Sequence, residues 1–400
     1  MNFDLSAEKQ IPINILCFSD DGKTMYGFAK YYNEFFEINL LSHTAHSLGQ
    51  LNGEKDSAEL IFLMACHNGM VIFIPRLAEH LHIYDSQTGK RYHFNINDIL
   101  GGNYYNFAGF FFCIYDKFLY LIHRDPIIIS KLNLETFEHT VVSKDTNTGK
   151  HFLSLYNQVG KYAACFDMDK EELLLFDAEK ESFRQIMLPK ECAGFARPFF
   201  DGEFIWLYHF KNNMVYKCDM SGKVLRRWQL EHDMDGNGLH MVFRMIDGNL
   251  YLFPNKQDCY FSIKNDEIIM HQCKSIESDI CWLAGDDGKN PYYICIEWNK
   301  KGDCPTTTMC SIMDFKYKML NLIDKNFIDI PVNLPMNPHE RERVVRAYQD
   351  YFSGGMARGE NTGTLLTDFL SAIIYMEPKS EQSSQNLSKI GETIFQKVSS

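Results

Sequence analysis

From about residue 12 to residue 322, apolar and polar positions alternate in short runs that turn residues interrupt every few positions. In "ARPFFDGEFIWLY", two aromatic-rich runs flank Asp201-Gly202, and "NMVYKCDMSGKVLRRWQL" adds two more around Ser221-Gly222. Flat aromatic rings pack well on a pleated surface, so runs of this kind predict strands, and the tight punctuation predicts hairpins. The same four-run order recurs in "FFFCIYDKFLYLIHR" with "IIISKLNLETFEHTVV", and in "IFLMACHNGMVIFIP" with "HLHIYDSQTGKRYHF". Helical spacing is absent until late in the chain.

The turns recur at a steady interval. They fall at Gly22, Gly69, Lys117, Gly160, Gly202, Gly248 and Gly288, with successive gaps of 47, 48, 43, 42, 46 and 40 residues. Two-residue hairpin turns need positive φ, which glycine adopts at little cost, and Lys117 is the one departure. A unit of roughly 40–45 residues holding four short strands has the period of a propeller blade. On these units the chain resembles β-propeller proteins in general. The WD dipeptide with its Gly-His partner is absent, as are the paired glycines of kelch repeats. The resemblance implies an all-β, seven-bladed β-propeller over residues 1–325, with six or eight blades also compatible with the spacing. The seventh unit carries an insertion and is the least regular. A pair of large β-sandwiches is the competing architecture, but its strands recur without so steady a four-strand unit.

The tail has a different pattern. "NPHERERVVRAYQDYF" opens with Asn337 as an N-cap and Pro338 at the first helical position, and sets Val344, Val345, Tyr348 and Phe352 on one face. "TLLTDFLSAIIYM" reads as a second, apolar helix. "LSKIGETIFQKV" reads as a third, with Leu387, Ile390, Ile394 and Val398 at helical spacing after the polar linker "EPKSEQSSQN". Residues 326–400 are thus expected to form an α-helical C-terminal extension. It would pack on the propeller, join copies of the chain into a homo-oligomer, or dock on a partner.

Composition narrows the function. The formal net charge is −12 and no long basic run occurs, which argues against a nucleic-acid or anionic-membrane surface. The amino terminus lacks a basic segment followed by an apolar one, and apolar stretches such as "FAGFFFCIYDKFLYLI" are interrupted by Asp and Lys. Neither a signal peptide nor a membrane helix is expected, and the 12 cysteines, scattered singly, then read as reduced thiols of a cytoplasmic protein. No CxxC pair supports zinc, no cofactor motif appears, and neither a metal nor a cofactor is expected.

Candidate chemistry is sparse. "DMDGNG" at residues 233–238 spaces Asp233, Asp235, Asn237 and Gly238 like the start of a calcium loop, but Arg244 stands where an EF-hand needs a bidentate Glu. A shorter propeller-type loop would end in an acid at Met241. The run therefore reads as a connection whose Asp and Asn shape turns. "HRDP" at residues 123–126 lacks every other kinase element. Propellers work through their faces and central channel, and the leading residues of the innermost strands are Glu59, Asn106, His151, Arg197, His240 and Asp279. Converging at one channel mouth, His151 and His240 with Glu59 and Asp279 would share acid–base catalysis or, as the alternative use of the same cluster, hold a divalent metal, with Asn106 and Arg197 binding. Such polar lining is also what any water-filled channel requires. Tyr104 and Tyr105 in "GGNYYNFAGFF", and Tyr31 and Tyr32 in "KYYNEFF", offer rings for a peptide or glycan. The expected function is non-catalytic binding of a protein or peptide by an interaction scaffold. The competing reading is a channel-site hydrolase or lyase acting on a glycan or peptide.

Overall fold

A computed structural model describes residues 10–29, 32–39, 44–57, 60–102, 110–124, 127–145, 153–167, 172–192, 196–209, 212–230, 242–246, 248–253, 259–264, 266–272, 280–286, 291–298, 315–321, 326–328 and 333–335. The first sheet is built from β1 (Gln10–Phe18), β2 (Thr24–Ala29), β3 (Phe35–Asn39) and β4 (Thr44–Gly49). The second holds β5 (Ile61–His67), β6 (Met70–Pro75), β7 (His80–Asp85) and β8 (Arg91–Asn95), and the short helix α1 (Ile96–Leu100) follows it. The third holds β9 (Phe110–Tyr115), β10 (Phe118–Arg124), β11 (Ile127–Asn133) and β12 (His139–Asp145). The fourth holds β13 (Leu153–Val159), β14 (Tyr162–Asp167), β15 (Glu172–Asp177) and β16 (Ser182–Met187). The fifth holds β17 (Ala196–Phe200), β18 (Ile205–His209), β19 (Met214–Cys218) and β20 (Val224–Gln229). The sixth holds β21 (Val242–Ile246), β22 (Asn249–Phe253), β23 (Cys259–Lys264) and β24 (Glu267–Gln272). The last holds β25 (Ile280–Asp286), β26 (Pro291–Trp298), β27 (Phe315–Asn321) and β28 (Asn326–Ile328).

Within every sheet the strands follow chain order and pair antiparallel, giving six four-stranded sheets. The first sheet gains a fifth strand, β29 (Asn333–Pro335), which pairs with the start of β1 through Gln10↔Pro335 and Pro12↔Asn333. Residues 326–328 and 333–335 are therefore strands. The helices expected from residue 337 lie outside the described residues.

The hairpin turns carry the backbone geometry that the repeat demands. Between His67 and Met70, Asn68 and Gly69 both take positive φ, 51° and 78°, as a two-residue turn requires. The third unit does without glycine because Asp116, one residue before Lys117, takes the positive φ of 55° itself. A short polar side chain tolerates that region better than most.

The second strands β2, β6, β10 and β18 read as nearly continuous apolar runs because both of their faces are buried. On β6, Val71 and Phe73 join an apolar cluster with Phe28 and Phe35 of the first sheet, while Ile72 and Ile74 join one with Leu119 and Leu121 of the third. On β10, Leu119 and Leu121 face back to the second sheet, whereas Tyr120 and Ile122 meet Ala163 and Phe176 of the fourth. On β18, Ile205 and Leu207 pack with Leu173 and Leu175, and Trp206 and Tyr208 pack with Leu250 and Leu252. Alternate side chains of one strand thus serve two interfaces, each full burial stabilising by about 1.5–3 kcal/mol. The fourth strands are more polar, with exposed positions on β8, β16 and β20. The first strands lie nearest one another: β1 lies against both β5 and β25, and β13 against β17. Contact between β1 and β25 brings the last sheet back to the first, the arrangement of a β-propeller.

Candidate functional site

The most concentrated chemistry among the described residues lies between the first and second sheets, on the side away from the innermost strands. It begins with Asn33, buried in the turn before β3. Its Nδ2 donates to the carbonyls of Leu51 (2.9 Å) and Glu54 (3.0 Å), and its Oδ1 accepts from the Leu51 N–H (2.8 Å). Asp56 accepts from the Asn33 N–H at 3.0 Å. Arg91 of β8 donates to the carbonyls of Gln50 and Leu48, with its guanidinium 5.1 Å from the centre of the Phe35 ring. These bonds fix the connection between β4 and β5, so that Glu54 points at β7.

On β7, His80 and His82 are two residues apart and share one face, while Leu81 between them turns to the apolar cluster on the other side. Both imidazoles donate to Glu54 Oε1, His80 through Nδ1 at 2.9 Å and His82 through Nε2 at 3.1 Å. The backbone N–H groups of His80 and Glu79 donate to the same carboxylate, at 3.0 Å to Oε1 and 3.1 Å to Oε2. The Glu54 and His82 side chains are 3% and 4% exposed, and His80 is 19% exposed. His93, the register partner of His82 on β8, stacks on it with ring centres 6.0 Å apart and meets His80 edge-on at 5.4 Å.

Electrostatics make this an anionic pocket. Burial pushes the Glu54 carboxyl up, but hydrogen bonds from His82, His80 and the Glu79 N–H outweigh it and hold the group below its ordinary value. Burial also holds His82 below the usual histidine range, against the opposing pull of Glu54. At neutral pH the pair is therefore a carboxylate with a neutral imidazole, and no Lys or Arg ion pair to Glu54 occurs among the described residues. The three ligand-capable atoms of Glu54, His80 and His82 all lie within 4.8 Å of one another.

Of the channel-mouth residues expected from the sequence, Arg197 falls within the described residues. It lies on β17, at the start of the first strand of its sheet, opposite Tyr208. Glu59, Asn106, His151, His240 and Asp279 lie outside them, as do Tyr104, Tyr105 and the "DMDGNG" run. Tyr31 is outside as well, while Tyr32 is fully buried and presents no ring to a ligand, because the connection it occupies is folded under the loop that Asn33 holds. Cys17, Cys66 and Cys113 carry free thiols. Burial pushes the Cys66 and Cys113 thiols up to about 11 and about 12, the reverse of what a nucleophile needs.

Sequence reading passed over Glu54, His80, His82 and His93. The alternation in "HLHIY" with the returning His93 was a usable signal, since it sets three imidazoles on one face of a hairpin. Glu54 had none, because its approach depends on bonds to Asn33, distant in sequence.

No family model and no curated protein matches this chain. Solved structures do resemble it. Virginiamycin B lyase from Staphylococcus aureus, in a catalytically inactive form with quinupristin, superposes with a TM-score of 0.53 at 11% identity, covering 73% of this chain and 94% of its own. A streptogramin B lyase gives 0.49 at 11% identity, covering 82% and 95%. The WD40 domain of SCAP from fission yeast gives 0.46 at 10% identity, covering 84% and 89%. At such identities the likeness concerns the fold alone, and the fold is that of a β-propeller.

Proposed function

We propose that this chain is a seven-bladed β-propeller that acts in the cytoplasm as a non-catalytic binding module for a protein or peptide. In this reading, the residues from about 337 onward form the helical element that docks a partner or joins copies of the chain. The observation that carries the reading is the placement of exposed apolar side chains. Val141 on β12, Met187 on β16, Leu225 on β20 and Met270 on β24 stand open to solvent on the fourth strands of four successive sheets, Met187 at 59% exposure. Most apolar side chains described in these sheets are drawn into the clusters between blades, whereas those four, with Ile269 beside Met270, are open to a partner.

The test is affinity capture with the full chain. Met187→Asp, Leu225→Asp and Met270→Asp together should remove the partners that the unmodified chain retains, without changing its melting temperature. A second full-length variant, Leu387→Ser with Ile394→Ser, tests the tail in the same way. An unchanged partner set with both variants would overturn the reading.

A further inference from the structure

The geometry points to a divalent transition-metal site, of the zinc class, formed by Glu54, His80 Nδ1 and His82 Nε2 between the first two sheets. Two imidazoles and one carboxylate are a donor set that suits zinc and its neighbours and disfavours calcium and magnesium, which take oxygen ligands. The spacing fits. A tetrahedral centre with bonds of about 2.0–2.1 Å holds its ligand atoms about 3.3 Å apart. Glu54 Oε1 already stands 2.9 Å from His80 Nδ1 and 3.1 Å from His82 Nε2, and all three ligand atoms lie within 4.8 Å of one another, so small side-chain shifts would seat a cation among them.

Outer contacts support the same assignment. The carboxylate is aimed by the N–H groups of Glu79 and His80, and its loop by Asn33, the kind of hydrogen bonding that orients metal ligands. His80 and His82 sit on a strand whose opposite face is locked into the apolar cluster through Leu81, so they are rigid donors. A metal bound through the nitrogens that now donate to Glu54 leaves the opposite ring nitrogen of each imidazole to carry the N–H. His80, the least buried of the three, leaves the open side of the site to water. The buried negative charge of Glu54, matched by no Lys or Arg among the described residues, favours a cation there.

The experiment uses the full chain, stripped with EDTA and titrated with zinc chloride by calorimetry. Metal content is then measured by mass spectrometry, and thermal melts are recorded with and without zinc. The unmodified chain should take up one equivalent that His80→Gln, the mildest change at the least buried ligand, loses together with the rise in melting temperature. Glu54→Gln should lose it too. His46→Gln, at an exposed histidine elsewhere, should keep it, as should the full-length pair His151→Ala with His240→Ala. Cobalt(II) added to the stripped chain should show the visible absorption of a tetrahedral centre, which His80→Gln abolishes, and this readout needs no buried substitution. Absence of stoichiometric uptake by the unmodified chain, uptake equal in His80→Gln, or loss in the His151/His240 pair instead would overturn the assignment.

Discussion

Replacing Asn33 by Ala tests how the fold holds the pocket. The amide makes three hydrogen bonds to the connection between β4 and β5, two donated and one accepted, all between 2.8 and 3.0 Å. Its side chain is 1% exposed, so water does not replace those bonds when the amide is removed. At about 1 kcal/mol net for each bond, Ala costs about 3 kcal/mol, with the unsatisfied Leu51 N–H and carbonyl pushing the figure upward. Asn33→Asp separates geometry from bonding. It retains an acceptor for the Leu51 N–H, but sets a carboxylate oxygen against the Leu51 and Glu54 carbonyls in place of two donated bonds. Asp should therefore cost at least as much as Ala despite its matching shape, and part of its loss should be recovered at low pH, where the protonated acid can donate once. Urea unfolding followed by tryptophan fluorescence measures both, at pH 7 and again at pH 4. A loss below about 1 kcal/mol for Ala, or an Asp variant as stable as the native chain at pH 7, would refute the claim that this amide organises the loop.

Two further outcomes follow from single positions. Gly222 has φ of +83° and an added Cβ would lie 2.1 Å from the backbone oxygen of Met187, so Gly222→Ala should shift the β19–β20 turn against the fourth sheet and lower stability by about 1–3 kcal/mol, read as a fall in the urea midpoint. Burial, and then the Asp20 carboxylate 3.9 Å from its sulfur, raise the Cys66 thiol from 9.0 to about 11; at pH 8 its alkylation by iodoacetamide should run about 100-fold slower than that of a thiol at 9.0 and rise tenfold per pH unit up to about pH 10, and a rate equal to free cysteine would contradict this.

The architecture was legible because its signals are local and repeated. Gly22, Gly69, Gly160, Gly202 and Gly248, picked out as turn positions by spacing, all take positive φ. Runs such as "MVIFI" and "IWLY" were readable as strands, and their continuity has a reason: each serves two neighbouring sheets at once. Closure of the ring was not readable. The three residues of β29 carry no strand signature, and they pair with β1 only because the sheets between them return the chain to its start. Glu54 was hidden for the same kind of reason. A lone acidic residue in "LNGEKD" looks like a solvated loop until Asn33 and Arg91 are known to fold that loop inward.

The two sides of the second sheet explain why polar chemistry gathers where it does. Contacts between neighbouring sheets involve mainly their first and second strands, so blades diverge toward their outer strands and leave a wedge to be filled. On the side facing the third sheet, α1 fills it, burying Ile96, Ile99 and Leu100 against β11 and β12. On the side facing the first sheet, the filler is the connection carrying Glu54, whose backbone and carboxylate must find hydrogen-bond partners once water is excluded. β7 answers both wedges with one alternating sequence: Leu81 and Ile83 go to the apolar side, and His80 and His82 to the polar side. Swapping the filler would therefore demand swapping the strand. An apolar residue at position 82 would strip one donor from a buried carboxylate that stays charged at neutral pH, whereas the same change on the α1 side would be an ordinary matter of volume. The histidine pair is tied to the loop opposite it, and a search for ligand sites in this propeller belongs in that wedge as much as in the central channel.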